Sequence, residues 1–271
     1  MFDFTIHSSL FTDHCLMIVL GIDTSTYHGS IAIVENERLL SEFSIPFINS
    51  YSKRLISIID DLLKKCEVKF KDIDGYAIAI GPGSFTGLRI GVSTCKGFSL
   101  ATGRPVIPVG TLDAMAESIL DFGFRISDFK EYKSQIPNHK SQIHLICTLI
   151  DAKKGEVFAS LYKKIDGKIK KITEDMAINP ERLCQKINEP TIFFGDGVKS
   201  YGDLIKKRLK GLAYFYNDIP KNSIAASIAF MGAKKLERGD VPDTASLKPK
   251  YIRRPEAEIK WEERQKVGID F

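Results

Sequence analysis

No two cysteines of this chain stand close enough together to form a metal or redox motif. The 271 residues include five, Cys15, Cys66, Cys95, Cys147 and Cys184, spread far apart in mostly apolar surroundings. Without a Cys-x-x-Cys pair, zinc-ribbon and thioredoxin-like chemistry is excluded, and free thiols in a reducing cytosol are expected. Long hydrophobic runs are also missing: none approaches the roughly 20 apolar residues of a membrane span. Residues 1–16 contain no Lys or Arg, so they lack the positive start of a signal peptide. They read as a flexible extension ahead of Met17, and the chain as cytoplasmic.

The histidines, His7, His14, His28, His139 and His144, include no i,i+4 pair that would set two imidazoles on one helix face. No metal site is expected. Arginine-rich blocks interleaved with aromatics are absent. The net charge of +5 and pI of 8.8 are compatible with an RNA-associated protein but therefore favour a plain lysine-rich one. With 44% hydrophobic and 27% charged residues, the chain is an ordinary globular protein with room for a sizeable core.

Periodicity shows an internal repeat. Short apolar runs at Ile18–Ile22, Ser30–Val34 and Arg38–Ser44 form a meander, with Asp23 at the end of the first. A helical pattern over Ser50–Cys66 carries Leu55, Ile56, Ile58, Ile59, Leu62, Leu63 and Cys66 on an arc wider than the ~100° a core contact needs. That width leaves open whether the helix has a second packing partner or is simply well buried. A strand at Tyr76–Ile80, a glycine turn, a helix over Phe85–Ala101, a strand at Val106–Val109 and a helix over Leu112–Asp121 follow. After the polar, aperiodic stretch 123–142, read as a linker, the order resumes. Strands are expected at Ile143–Ile150, ending at Asp151, and at Val157–Tyr162 and Lys168–Thr173. Then come a helix over Pro180–Ile187, the strand Thr191–Phe194, Gly195-Asp196-Gly197 and a helix over Val198–Leu209. A helix over Asn222–Glu237 and a basic tail around Tyr251 complete the chain. Residues 17–122 and 143–271 thus read as two α/β lobes, each β-β-β-α-β-α, facing one another across a crevice.

The run Gly81-Pro82-Gly83-Ser84-Phe85-Thr86-Gly87-Leu88-Arg89-Ile90-Gly91 joins a strand to a helix. Gly81 and Gly83 permit unusual backbone angles and Ser84 is a good N-cap, so the turn is either an anion cradle or a tight corner. Leu88 stands where a Walker loop needs Lys, and Gly-x-Ser-x-Gly is not matched. The turn Asp23-Thr24-Ser25-Thr26 is suited to phosphate and hydrated Mg²⁺, or to satisfying itself. Candidate nucleotide-contacting residues are therefore Asp23, Thr24, Ser25, Gly81, Gly83, Ser84, Gly195 and Gly197. On the helix, Gly87 and Gly91 leave one side nearly bare, so another element approaches closely: the lobe's own sheet or another subunit.

Asp23-Thr24-Ser25, the Gly81–Gly91 run, Asp151-Ala152-Lys153-Lys154-Gly155-Glu156-Val157-Phe158 and Tyr251-Ile252-Arg253-Arg254 together resemble the TsaB family, also called YeaZ, over Met17 to about Arg264. The resemblance implies the two-lobed fold of actin-like, sugar-kinase and Hsp70-type ATPases. It implies a non-catalytic dimerisation subunit of the bacterial machinery that makes threonylcarbamoyladenosine in tRNA, beside the anticodon. The implied partners are a TsaD-type catalytic subunit and a TsaE-type ATPase, with tRNA met through the complex, a homodimer when the chain is alone, and ATP or ADP at the complex interface rather than as a cofactor of its own. The catalytic relative carries His-x-x-x-His after the next strand; here the matching positions are Thr111 and Met115, neither a replacement for a histidine ligand. Pairing through the first two long helices implies an interface at Tyr51, Leu55, Ile58, Ile59, Leu62, Gly87, Arg89, Gly91 and Thr94, with Tyr51 where members often have His. The alternative is a small-molecule kinase, ATPase or peptidase of the same fold.

Overall fold

The computed structural model describes residues 16–46, 51–121, 145–216 and 223–253. The expected linker, most of the expected extension, His7, His14, His139, His144, Cys15 and Trp261 lie outside them. The first sheet begins with an antiparallel meander of β1 (Ile18–Asp23), β2 (His28–Glu35) and β3 (Arg38–Pro46). Asn36, with φ of 53°, makes the tight turn between the last two. β4 (Gly75–Ala79) and β5 (Val106–Val109) add in parallel, giving the order β3-β2-β1-β4-β5.

Alternation along the strands decides what covers each face. Leu20, Ile22, Ile31, Ile33, Tyr76 and Ile78 point to the side covered by α1 (Tyr51–Lys65) and α2 (Phe85–Thr102). Most of the wide apolar arc of α1 is covered here, because Leu55, Ile58, Ile59, Leu62 and Leu63 are all buried in this core, while Ile56 stays exposed. Each such side chain contributes about 1.5–3 kcal/mol.

Val19, Val34, Ala77, Ala79, Ile107 and Val109 point the other way, toward α3 (Thr111–Asp121) and α6 (Ile224–Glu237). The sequence reading had counted α6 with the second lobe, and the packing corrects it. Small residues let α6 lie almost on the strands: a Cβ on Gly21 would stand 2.3 Å from the Ala225 carbonyl oxygen, and one on Gly232 2.4 Å from the Ala77 Cβ. The Glu42 carboxylate of β3 accepts from the Ser223 N–H at 2.7 Å and from its hydroxyl at 2.8 Å, fastening the start of α6. A carboxylate there also meets the positive end of the helix dipole.

The second lobe repeats the pattern. β6 (Leu145–Lys153), β7 (Glu156–Ile165) and β8 (Lys168–Lys171) form the meander; β10 (Thr191–Phe194) and β11 (Ala213–Phe215) run parallel to β6, in the order β11-β10-β6-β7-β8. β9 (Met176–Ile178) pairs further along β7, and α4 (Pro180–Cys184) and α5 (Gly197–Leu209) cover one face. The opposite face, through Ile146, Ile150, Tyr162 and Phe194, receives Leu112, Met115, Ala116 and Ile119 of α3. Helix and sheet layers therefore alternate through the molecule, with α3 and α6 between the two sheets. Cys95, Cys147 and Cys184 are buried and free, and Cys66 is free and half-buried.

Two glycines give opposite expectations. Gly21→Ala forces β1 off the α6 backbone and is expected to cost about 1–3 kcal/mol. Gly97→Ala, on the outside of α2 with nothing within 4 Å of its added Cβ, is expected to gain about 1 kcal/mol. Urea unfolding midpoints of the two variants check both signs.

Candidate functional site

Between the lobes lies a cleft of about 590 Å³. The first lobe supplies Ser25, Thr26, Tyr27, Gly83, Ser84 and Phe85; the second supplies Ile150, Asp151, Lys153, Phe158 and Asp196; residues 250–253 close one side.

On the first lobe, the glycine run is a corner filled by the chain itself. Gly81 has a φ of 114°, closed to most residues. The Ser84 N–H donates to the Ser25 carbonyl at 2.7 Å, and the Ser84 hydroxyl caps α2 by accepting from the Gly87 N–H at 3.2 Å. A Cβ on Gly83 would stand 2.3 Å from the Ser25 carbonyl oxygen, one on Gly87 1.9 Å from that of Thr24, and one on Gly91 2.3 Å from the Thr24 hydroxyl. This corrects the interface reading of Gly87 and Gly91: the element that approaches their bare side is the β1–β2 turn of the same lobe. Leu55, Ile58, Ile59 and Leu62 likewise face the lobe's own core. The outward stripe of α2 is Thr86, Arg89, Ser93, Gly97 and Leu100, with Leu100 90% exposed, and on α1 Ile56 is 51% exposed. Of the residues expected at an interface, Arg89 is on that stripe and Thr94 half-buried; Tyr51 opens α1, with its side chain outside the description.

Asp23 is sealed rather than open to a ligand. Its carboxylate accepts from the Ser25 N–H at 2.8 Å and the Ser25 hydroxyl, and lies 3.1 Å from the Thr26 hydroxyl, whose one proton is shared between Asp23 and the His28 carbonyl. Burial raises its pKa, although the Ser25 and Thr26 bonds pull the other way. Thr24 is fully buried, and neither residue lines the cleft. Gly81, Gly195 and Gly197 are also corner residues, and Gly195, with φ of 125°, repeats the conformation of Gly81. Only Ser25, Gly83 and Ser84 of the eight candidate nucleotide residues reach the cleft.

The second lobe repeats the aspartate turn in open form. Asp151 accepts from the Lys153 N–H at 2.8 Å, from its ammonium at 3.1 Å and from the Ser200 hydroxyl at 3.0 Å. Burial pushes its carboxyl up, but the Lys153 and Ser200 bonds outweigh that and hold it below the ordinary value. Asp196, bonded by the Asp151 N–H at 2.9 Å, is raised by burial and by the neighbouring Asp151 charge. Sequence reasoning missed Lys153, Asp196 and Phe158 as lining residues; the Asp-Ala-Lys-Lys-Gly-Glu hairpin and the Gly-Asp-Gly turn were the signals.

These residues do not fit the phosphates of a nucleotide. The basic side chains of the lining are already engaged: Lys153 with Asp151, Lys250 with Asp175 at 2.8 Å, and Arg253 with Glu156 at 3.2 Å. Asp151 and Asp196 add two carboxylates that repel phosphate, and the first-lobe cradle is filled by Thr24 and Ser25. On α3, Thr111 and Met115 are buried, and the Met115 methyl lies against Gly195. Among the described residues, no group of three His, Cys, Asp or Glu is placed to hold a metal ion, and no helix is long and apolar enough to cross a membrane.

Two sheets of one strand order, stacked through shared helices around a cleft, define a duplicated two-lobed α/β protein. A family model described as "TsaD: tRNA N6-adenosine threonylcarbamoyltransferase" matches residues 47–124. The Bacillus subtilis (strain 168) protein "tRNA threonylcarbamoyladenosine biosynthesis protein TsaB" is 26% identical over 253 residues, 92% of this chain and 100% of that protein. Its Haemophilus influenzae namesake is 23% identical over 256 residues, 90% of this chain and 96% of that protein. The solved structure of YeaZ from Pseudomonas aeruginosa superposes with a TM-score of 0.67 at 23% identity, covering 87% of this chain and all of that one. The chain is thus similar to TsaB, or YeaZ, proteins over nearly its whole length.

The sealed aspartate gives a pH prediction. A raised folded pKa means that Asp23 adds stability below the unfolded value of about 4, and that this is lost as pH rises through the folded value. In Asp23→Asn, the carbonyl oxygen keeps the Ser25 bonds, and the amide donates to the Thr26 hydroxyl, which itself donates to the His28 carbonyl at 2.9 Å. The variant's stability relative to wild type is expected to improve as pH rises from about 4 to 7 in urea unfolding, a window that opens at that unfolded pKa. A phosphate- or Mg²⁺-holding Asp23 would show no such trend.

Proposed function

We propose that this chain is a subunit of the tRNA threonylcarbamoyladenosine biosynthesis machinery that does no chemistry of its own and serves to dock and support a TsaD-type catalytic subunit. The observation that carries the reading is the likeness to a TsaB protein across that protein's whole length. Buried Thr111 and Met115, at the positions where the catalytic relative is expected to hold its metal, support a non-catalytic role. The kinase or ATPase alternative needs free basic groups at the cleft, and the described ones, Lys153, Lys250 and Arg253, are engaged with carboxylates, which supports assigning nucleotide chemistry to the TsaD-type and TsaE-type partners. The docking face is the outward side of α1 and α2, where Ile56, Arg89, Ser93, Gly97 and Leu100 are exposed. Two copies pair through the same face when no partner is present. We place the protein in the cytoplasm with its tRNA.

In cells depleted of their own TsaB, expression of this chain with its cognate TsaD-type subunit is expected to restore threonylcarbamoyladenosine in tRNA, read by mass spectrometry of nucleosides. Leu100→Asp is expected to weaken capture of that subunit by about 10–100-fold, the equivalent of one buried leucine, with an unchanged unfolding midpoint. Rescue by a variant that no longer binds the TsaD-type subunit would overturn the docking role.

A further inference from the structure

The segment before the C-terminal residues crosses the cleft and is fastened at both ends. On the first lobe, the Lys250 N–H donates to the Ile80 carbonyl at 2.7 Å, where β4 runs into the glycine corner. The Tyr251 ring packs on Phe85 with centroids 4.8 Å apart, and its hydroxyl accepts from Arg89 Nε at 3.0 Å, while the Arg89 guanidinium lies 3.9 Å above the Phe85 ring. On the second lobe, Lys250 Nζ donates to Asp175 at 2.8 Å, and Arg253 donates to Glu156 at 3.2 Å and to the Ala152 carbonyl at 2.9 Å.

The fit is built into both lobes. A Cβ on Gly81 would stand 2.7 Å from the Lys250 carbonyl oxygen, so the corner is shaped around the segment. The Asp175 side chain is only 2% exposed and takes Lys171 as well as Lys250. Lys171 in turn donates to Asp113 of α3 at 2.8 Å, beside the Tyr162 hydroxyl, also at 2.8 Å from that carboxylate. Two carboxylates and two ammonium groups balance across the lobe junction, and Lys250 is the member carried by the crossing segment.

We infer that residues 248–253 form a strap that latches the two lobes together and occupies the cleft mouth, so that the cleft opens only when the strap peels away. Its ties to the second lobe are ionic and partly exposed, whereas its seat on the first lobe is backbone and aromatic. Peeling therefore begins at Lys250 and Arg253. Because Arg89 belongs to the outward stripe of α2, a protein that engages Arg89 competes directly with Tyr251 for it. The strap couples that surface to the cleft.

The test is hydrogen exchange by mass spectrometry on the full-length chain. In the double variant Lys250→Met, Arg253→Met, exchange in the strap and over residues 81–88 is expected to rise about tenfold, as for loss of charge-assisted bonds in a local opening, while α6 keeps its wild-type rate. Tyr251→Ala, which frees the strap from the other lobe, is expected to give the same pattern. Unchanged strap exchange in both variants overturns the latch. Equal acceleration in the strap and α6 also overturns it, because the residues then support only the fold as a whole.

Discussion

The turn Asp23–Thr26 and the first two turns of α2 touch backbone to backbone, and the first lobe is arranged around that contact. The Thr24 carbonyl lies where a side chain of residue 87 would begin, and the Ser25 carbonyl fills the space beside Gly83. Asp23 makes the approach possible by bonding Ser25 and Thr26 from inside the turn, so that the Thr24 hydroxyl is the side-chain group of this buried polar loop left without a partner. With the turn seated, α2 lies flat on the sheet, and its far side is fixed as the surface turned to solvent. One steric requirement thus determines both what the glycine corner excludes and which residues a partner meets.

The repeat was legible because it is written in periodicity. Alternating strands ended by aspartate, then a glycine pair, then a helix, appear twice, and the structure gives both sheets the same strand order. The helix-facing glycines were legible as a close approach, but not what approached: a bare helix side looks the same whether a neighbouring turn or another protein lies on it. The broad arc of α1 misled for a related reason, since a helix bedded deeply on a twisted sheet buries more than one stripe. The lobe of α6 was hidden because its pattern of Ala and Gly shows only that something packs closely, and its partner strands lie more than about 100 residues earlier. β9 and β11 are three residues each, too short for a period-2 signal.

Of the candidate site, Ser84 was legible as a helix cap, whereas the pattern left the glycine turn open between an anion cradle and a tight corner. The sequence did not show that the matching aspartates would differ in character. Asp23 is closed in by Ser25 and Thr26, whereas Asp151 is held in the open by a lysine two residues on and by Ser200. The same turn, used twice, has become structural in one lobe and a charged cleft wall in the other. Residues 250–253 were legible as basic and aromatic, yet their partners, Asp175, Glu156, Phe85 and Arg89, are scattered through the chain and only the tertiary fold collects them.

The bond between Glu42 and Ser223 spans 181 residues, and it has a meaning for the order in which the protein is made. On the ribosome, the strands of the first sheet emerge early, yet Val19, Val34, Ala77, Ile107 and Val109 have no α6 to cover them until residues 224–237 follow. The second lobe, whose own sheet and α4 and α5 all lie between residues 145 and 216, can complete its core first. The nascent chain therefore carries an apolar sheet face covered by no more than α3 for most of its synthesis, and a chain ending before α6 would keep it so: the lobe that begins translation is the last to close.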